Sequence, residues 1–199
     1  MLRPDLPIVR VTSRAQWRAW LTKHHAQRTG IWAATRKKHA VPPRGQYVSP
    51  RDINEECLCF GWIDSKPARI DDEWTALLCT PRKPGSGWSK VNKQRLDALL
   101  EAKLVAAPGK RAIAAAKQDG SWTAIDQVDA LVEPADLLAA FRKVNNAKLH
   151  WDAFPPSTRK AILEWINSAK KEATRQARIS ETARLAGENI RANQWTPKR

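Results

Sequence analysis

The chain has 199 residues, 42% hydrophobic and 28% charged, which excludes a disordered chain and leaves room for a domain with a substantial core. Its 35 Lys and Arg against 20 Asp and Glu give a net charge of +15, with the excess greatest in residues 142–199. That balance favours acidic partners (nucleic acid, phosphorylated metabolites, an anionic surface), while no run approaches about 18 apolar residues, so no membrane insertion is expected.

The first residues, Met1-Leu2-Arg3-Pro4-Asp5-Leu6-Pro7, lack an apolar leader, so a cytoplasmic protein is expected. Ile8-Val9-Arg10-Val11 is short and β-branched, a first strand. Ser13 opens a helix with Gln16 at the capping-box position, and Trp17, Trp20, Leu21 and His24 make one stripe with His24 at its rim. Gly30 precedes a second strand, Ile31-Trp32-Ala33-Ala34-Thr35-Arg36, and a Pro/Gly loop follows through Pro42, Pro43 and Gly45. Ser49 then caps a helix with Pro50 at its first position and Asp52 in its first turn. That helix runs through Ile53, Cys57 and Phe60 and stops at Gly61. Cys57 and Cys59 point about 200° apart on it, and no CxxC pair exists, which suits buried thiols in a reducing compartment.

Residues 62–70 and 74–80 flank Asp71-Asp72 as a β-hairpin. The order β-α-β-α-β-β reads as α+β, with a small, mainly antiparallel sheet in the N-terminal half and an all-helical C-terminal half. Helices follow: one from Ser89 through Leu104 with Leu96, Leu99, Leu100 and Leu104 as its stripe, then an alanine-rich one from Pro108-Gly109 to Gly120. A third from Pro134 carries Leu137, Leu138 and Phe141, and a short one is anchored by Trp151. After Pro155-Pro156, Ser157 or Thr158 caps a last stretch that breaks or kinks near Ala173. Residues 1–103 are expected as the sheet region and 104–190 as the helical region, packed as one globular unit, with 191–199 a frayed tail.

The chemistry concentrates after Thr80, in Pro81-Arg82-Lys83-Pro84-Gly85-Ser86-Gly87-Trp88-Ser89-Lys90-Val91-Asn92-Lys93. Gly85 and Gly87 allow backbone N–H groups to approach a ligand, and the helix opening at Ser89 aims its positive end at the same loop. Arg82, Lys83, Lys90 and Lys93 add charge, Ser86, Ser89 and Asn92 hydrogen-bonding groups, and Trp88 a face for stacking. The alternative is scaffold: glycines making a turn, Ser89 capping, Trp88 filling core. Asp64, a carboxylate in a strand, calls for a partner such as Arg82 or for an acid/base role at the site. Lys171, Arg175 and Arg178 form a basic helical stripe, either a solvated face or one patch with the loop. GxxxxGK[ST], HExxH, zinc-ligand spacings and recognisable nucleic-acid motifs are absent, so neither a metal nor another cofactor is expected.

These residues resemble the YdeI/OmpD-associated (bacteriocin-protection) family. The similarity runs through Glu55, Phe60-Gly61-Trp62-Ile63-Asp64, Pro81-Arg82, Ser86, Trp88-Ser89-Lys90 and Asn92-Lys93. It continues through Pro108-Gly109, Ala116-Lys117, Gly120 and Trp122, then Trp165-Ile166, Ala169-Lys170, Thr174-Arg175, Arg178-Ile179 and Gly187. It covers roughly residues 14–187. The resemblance implies a link to resistance to bacteriocins or antimicrobial peptides, and it brings no catalytic residues. The expectation is a cytoplasmic, non-enzymatic stress or peptide-protection protein that binds an anionic small molecule through Asp64, Arg82, Ser86, Trp88, Ser89, Lys90, Asn92, Lys93 and Arg175. The alternatives are an enzyme acting on a phosphorylated or acidic small molecule, and nucleic-acid binding through the basic C-terminal helices.

Overall fold

Short β-branched runs become four strands, β1 (Ile8–Val11), β2 (Ile31–Arg36), β3 (Trp62–Arg69) and β4 (Trp74–Pro81), in a computed structural model that describes residues 3–42 and 44–194. They form one sheet in the order β1-β2-β4-β3. Only the β1–β2 pair is parallel; β2–β4 and β3–β4 are antiparallel, with a register shift between Asp64 and Pro67. The sheet is thus mainly antiparallel, as the hairpin at Asp71-Asp72 requires. Its parallel pair follows from the helix that separates Val11 from Ile31.

The chain divides into two compact units, Met1–Thr123 and Ala124–Arg199. The first holds the sheet with α1 (Arg14–His24), α2 (Pro50–Cys59), α3 (Lys90–Glu101) and α4 (Ala107–Gln118). The expected boundary at 103/104 therefore falls between α3 and α4, inside this unit. Serine caps start α1, α2 and α3, with Ser13, Ser49 and Ser89 accepting from the N–H groups of Gln16, Asp52 and Asn92. Asp52 completes a capping box at α2, whereas Gln16 reaches past Ser13 to accept from the N–H of Thr12 at 2.7 Å. Gly61, at φ +72°, ends α2 and turns the chain into β3.

Period-two alternation divides β2 between two cores. Ile31 and Ala33 join Trp17, Leu21, Ile53, Cys57, Leu58, Trp62, Trp88 and Leu96 under the helices, while Trp32 and Ala34 pack with Ala68, Trp74 and Ala76 on the other face. One close approach fixes α4 on α2. A Cβ built on Gly109 would lie 2.3 Å from the carbonyl oxygen of Cys59, an oxygen that also accepts from the N–H of Ala106 at 3.0 Å. The α3 stripe is shorter than its leucines suggest. Leu96 and Leu99 are buried, but the helix stops at Glu101, and Leu100 and Leu104 are 41% and 38% exposed.

The second unit is helical: α5 (Asp126–Asp129), α6 (Ala135–Phe141), α7 (Ala147–Ala153), α8 (Pro156–Asn167) and α9 (Glu172–Gly187). Leu137, Phe141, Trp151, Ile162, Ile166, Ile179 and Ala183 form its core. Pro155 and Pro156 open α8 directly, so Ser157 and Thr158 lie in its first turn and do not cap it. The break between α8 and α9 lies at 168–171, leaving Ala173 exposed in the first turn of α9. Of the expected frayed tail, 191–194 are described and Ala192 is buried in this core, while 195–199 lie outside the described residues.

Candidate functional site

The end of β4 and the start of α3 hold the loop 82–88 close to the end of α2: the N–H of Arg82 donates to the carbonyl of Gly61 at 3.0 Å. The loop turns at Gly85, φ +73°, and the Ser86 hydroxyl donates back to the Lys83 carbonyl at 2.6 Å. Arg82 folds over it. Nη1 donates to the carbonyls of Gly87 and Ser86 at 2.9 and 3.3 Å, and Cζ lies 3.7 Å from the centroid of the Trp88 ring. Its Nε and Nη2 are buried and form no hydrogen bond. Burial pushes the Arg82 guanidinium down to about 10, with Asp64 pulling the other way.

Trp88 is 0% exposed and packs on Trp122 with centroids 5.2 Å apart. With Trp122 and the guanidinium of Arg82 packed against it, it fills core and leaves no open face for a ligand. Ser89 is occupied by its own cap, and the N–H of Gly85 donates to Asp119 Oδ2 at 3.2 Å. The side chain and backbone of Ser121, together with Gly85, hold the Asp119 carboxyl below its usual range. Lys90 is exposed on α3, and Lys93 Nζ lies 5.2 Å from the Trp122 ring centroid.

Asp64 does not form the expected ion pair with Arg82. Its Oδ1 accepts from Asn54 Nδ2 at 2.6 Å, and it acts on Arg82 only through space. The same Asn54 amide donates to Asn92 Oδ1 at 3.2 Å, and Asn54 Oδ1 accepts from Arg95 Nη1 at 2.5 Å. Asn54 is 5% exposed and ties β3 to α2 and α3, a role that the motif reading missed. A signal was present: Asn54-Glu55-Glu56 places three polar residues between Ile53 and Cys57-Leu58-Cys59, and all three are buried.

Two hollows meet at Arg82. One, of about 90 Å³, lies against Ser86, Trp88, Ala112 and Asp119. The other is a groove of about 780 Å³ that reaches Arg3, His25, Arg28 and Lys83. The charged residues of that groove are mainly cations, Arg3, Arg28, Arg82 and Lys83; its acid, Asp5, is paired with Arg3 at 2.6 Å. Among the described residues no group of His, Cys, Asp and Glu is placed to hold a metal ion.

Arg175 belongs to the second unit. It makes a two-pronged pair with Asp136 at 2.8 and 3.1 Å and donates to Asn167 Oδ1 at 2.9 Å. Arg178 stacks on Trp165 at 5.0 Å and donates to the Trp165 carbonyl and to Ser168 Oγ. Two of the three cations in the expected stripe therefore fasten α9 within its own unit.

Residues 9–112 match the family model described as a domain of unknown function, DUF8412, and residues 130–189 match the model described as Bacteriocin-protection, YdeI or OmpD-Associated. Of the resemblance read across residues 14–187, only Trp165 to Gly187 falls within the bacteriocin-protection match; the motif around Gly61-Trp62-Ile63-Asp64 and Trp88-Ser89-Lys90 falls within the DUF8412 match. No curated protein and no solved structure matches the chain.

Proposed function

We propose, for a chain that belongs to the domain-of-unknown-function family DUF8412 and carries a bacteriocin-protection, YdeI or OmpD-associated segment, a non-enzymatic protective role exerted through binding of small anions at the Arg82 junction. The observation that carries this reading is the guanidinium of Arg82. It is drawn into the protein with Nε and Nη2 unpartnered, next to a groove that also presents Arg28 and Lys83. A largely buried cation without an ion pair is costly, and a phosphate or carboxylate that displaces the loop enough to reach Nε and Nη2, both shut off from solvent, relieves that cost with two parallel hydrogen bonds. Asp64, tied to Asn54, supports the network and is assigned no acid/base role. The proposed compartment is the cytoplasm, in keeping with the free thiols Cys57, Cys59 and Cys79.

Calorimetry and thermal shift of the full chain with inorganic phosphate, citrate and adenosine monophosphate test the reading. Binding by at least one of them is expected, weakened about tenfold in Arg82→Lys, which keeps the charge but loses the fork, and less in Lys83→Ala. Absence of any response, or affinity unchanged in Arg82→Lys, sinks it.

A further inference from the structure

A second groove in the first unit involves none of the residues of the Arg82 loop. It has a volume of about 480 Å³ and is walled by Arg14 and Arg18 of α1, by Arg51 of α2 and by Arg95 of α3. Its floor is Glu55 and Glu56, 8% and 2% exposed. Each arginine is fastened from within the protein, Arg18 through both Nη atoms, with Nη2 donating to the Leu104 carbonyl at 2.6 Å. Arg14 Nε and Nη1 donate to Glu56 Oε1 and Glu55 Oε2, both at 2.7 Å, and Arg18 Nη1 donates to Glu56 Oε2 at 2.8 Å. Arg51 Nε donates to Glu55 Oε1 at 2.6 Å, and Arg95 Nη1 to Asn54. All four glutamate oxygens are thus taken from within.

The remaining edges are open: Arg14 Nη2, both Nη atoms of Arg51, and Nε and Nη2 of Arg95 form no hydrogen bond among the described residues. Anchored guanidiniums have already lost the side-chain freedom that binding would otherwise cost, so they are pre-organised for an anion. Beside them the wall turns apolar, with Ala15, Ala98, Leu99 and Leu104, and Leu104 is left 38% exposed. At about 30 Å³ per water-sized group, an inorganic anion fills only a small part of this space.

We infer that this groove is a second binding site, which takes a carboxylate carrying a short apolar body, its head on the free edges of Arg14, Arg51 and Arg95 and its body along Ala98 and Leu104. The Arg–Glu network is then the support of a site, and the exposed leucine is part of its wall.

Calorimetry of the full chain with octanoate below its micellar range tests this, with octan-1-ol and octyltrimethylammonium as head-group controls. Octanoate is expected to bind at one site, and the two controls at least tenfold more weakly. Arg51 has a 70% exposed side chain and Ala98 is exposed, so variants at both keep the fold, as circular dichroism would confirm. Arg51→Gln should weaken octanoate about tenfold by removing one charged hydrogen-bonding fork. Ala98→Glu, which places a tethered carboxylate in the groove, should abolish binding, and Arg82→Lys should leave it unchanged. The inference is overturned if octanoate does not bind, if octan-1-ol binds as well, or if neither groove variant alters its affinity. It is also overturned if Arg82→Lys alone weakens octanoate; that result leaves the Arg82 reading standing.

Discussion

The guanidinium of Arg82 lies 3.7 Å from the centroid of the Trp88 ring, and each explains the other's burial. Trp88 gives the cation a face in place of a counter-ion, and Arg82 closes over the indole. Arg82→Met keeps the stem over Trp88 and removes the buried charge. Its stability should stay within about 1 kcal/mol of the parent, because the lost carbonyl hydrogen bonds and cation–π contact are offset by relief of burial. Urea unfolding followed by tryptophan fluorescence measures this, and the same variant should lose its response to phosphate.

Asn54 serves Asp64, Asn92 and Arg95 at once from a position 5% exposed. Asn54→Ala should cost about 1–3 kcal/mol, since it leaves the Asp64 carboxylate short of its donor. Asn54→Asp should cost more at pH 7 by placing a second carboxylate beside the first, with part of the loss recovered under acid as one of them takes up a proton. Denaturant midpoints at pH 7 and pH 4.5 separate the two; equal losses at both pH values for Asn54→Asp would contradict the placement of Asp64.

Gly109 is needed for closeness. With a Cβ position 2.3 Å from the Cys59 oxygen and 2.8 Å from the Cys59 carbonyl carbon, Gly109→Ala forces α4 away from α2. A loss of about 1–3 kcal/mol is expected despite the better helix propensity of alanine. An unchanged melting temperature would rule out this contact.

In the second unit, hydrogen bonds from Arg175 hold the Asp136 carboxyl below its ordinary value of 3.8. A depressed carboxyl contributes stability above the unfolded-state value and loses it as pH falls through the folded-state value. Arg175→Gln should therefore destabilise the protein at pH 7, by about 1 kcal/mol for a partly exposed pair, and the difference from the parent should shrink as the pH falls below 3.8. Paired unfolding curves between pH 7 and pH 2.5 check the sign.

Much of the fold was legible because it rests on local rules. Ser13, Ser49 and Ser89 read as caps and act as caps, Gly61 reads as a helix stop and takes φ +72°, and Asp71-Asp72 reads as the hairpin turn between β3 and β4. The junction at 82–93 was equally visible, because its glycines, cations and Trp88 are neighbours in the chain. What those groups do there was not visible. Gly85 spends its N–H on Asp119, the Ser89 hydroxyl accepts from the N–H of Asn92 in its own helix, and Trp88 lies in the core.

By itself the sequence determined the α+β class, the boundaries set by caps and breakers, the surplus of cations and the place of the Arg82 loop, all of which follow from residues within a few positions of each other. Only the tertiary structure decided where the charges go. It paired Asp64 with Asn54 instead of Arg82, committed Arg175 to Asp136 and buried Nε and Nη2 of Arg82 without partners. It also drew Arg14, Arg18 and Arg95 onto Asn54-Glu55-Glu56 across about forty residues or more of chain. A long cation can reach many carboxylates, and its partner is chosen by helix packing that no local spacing encodes. The Arg82 junction, first a cluster of suggestive residues, is thereby narrowed to one buried guanidinium stacked on Trp88 with two donors unmet.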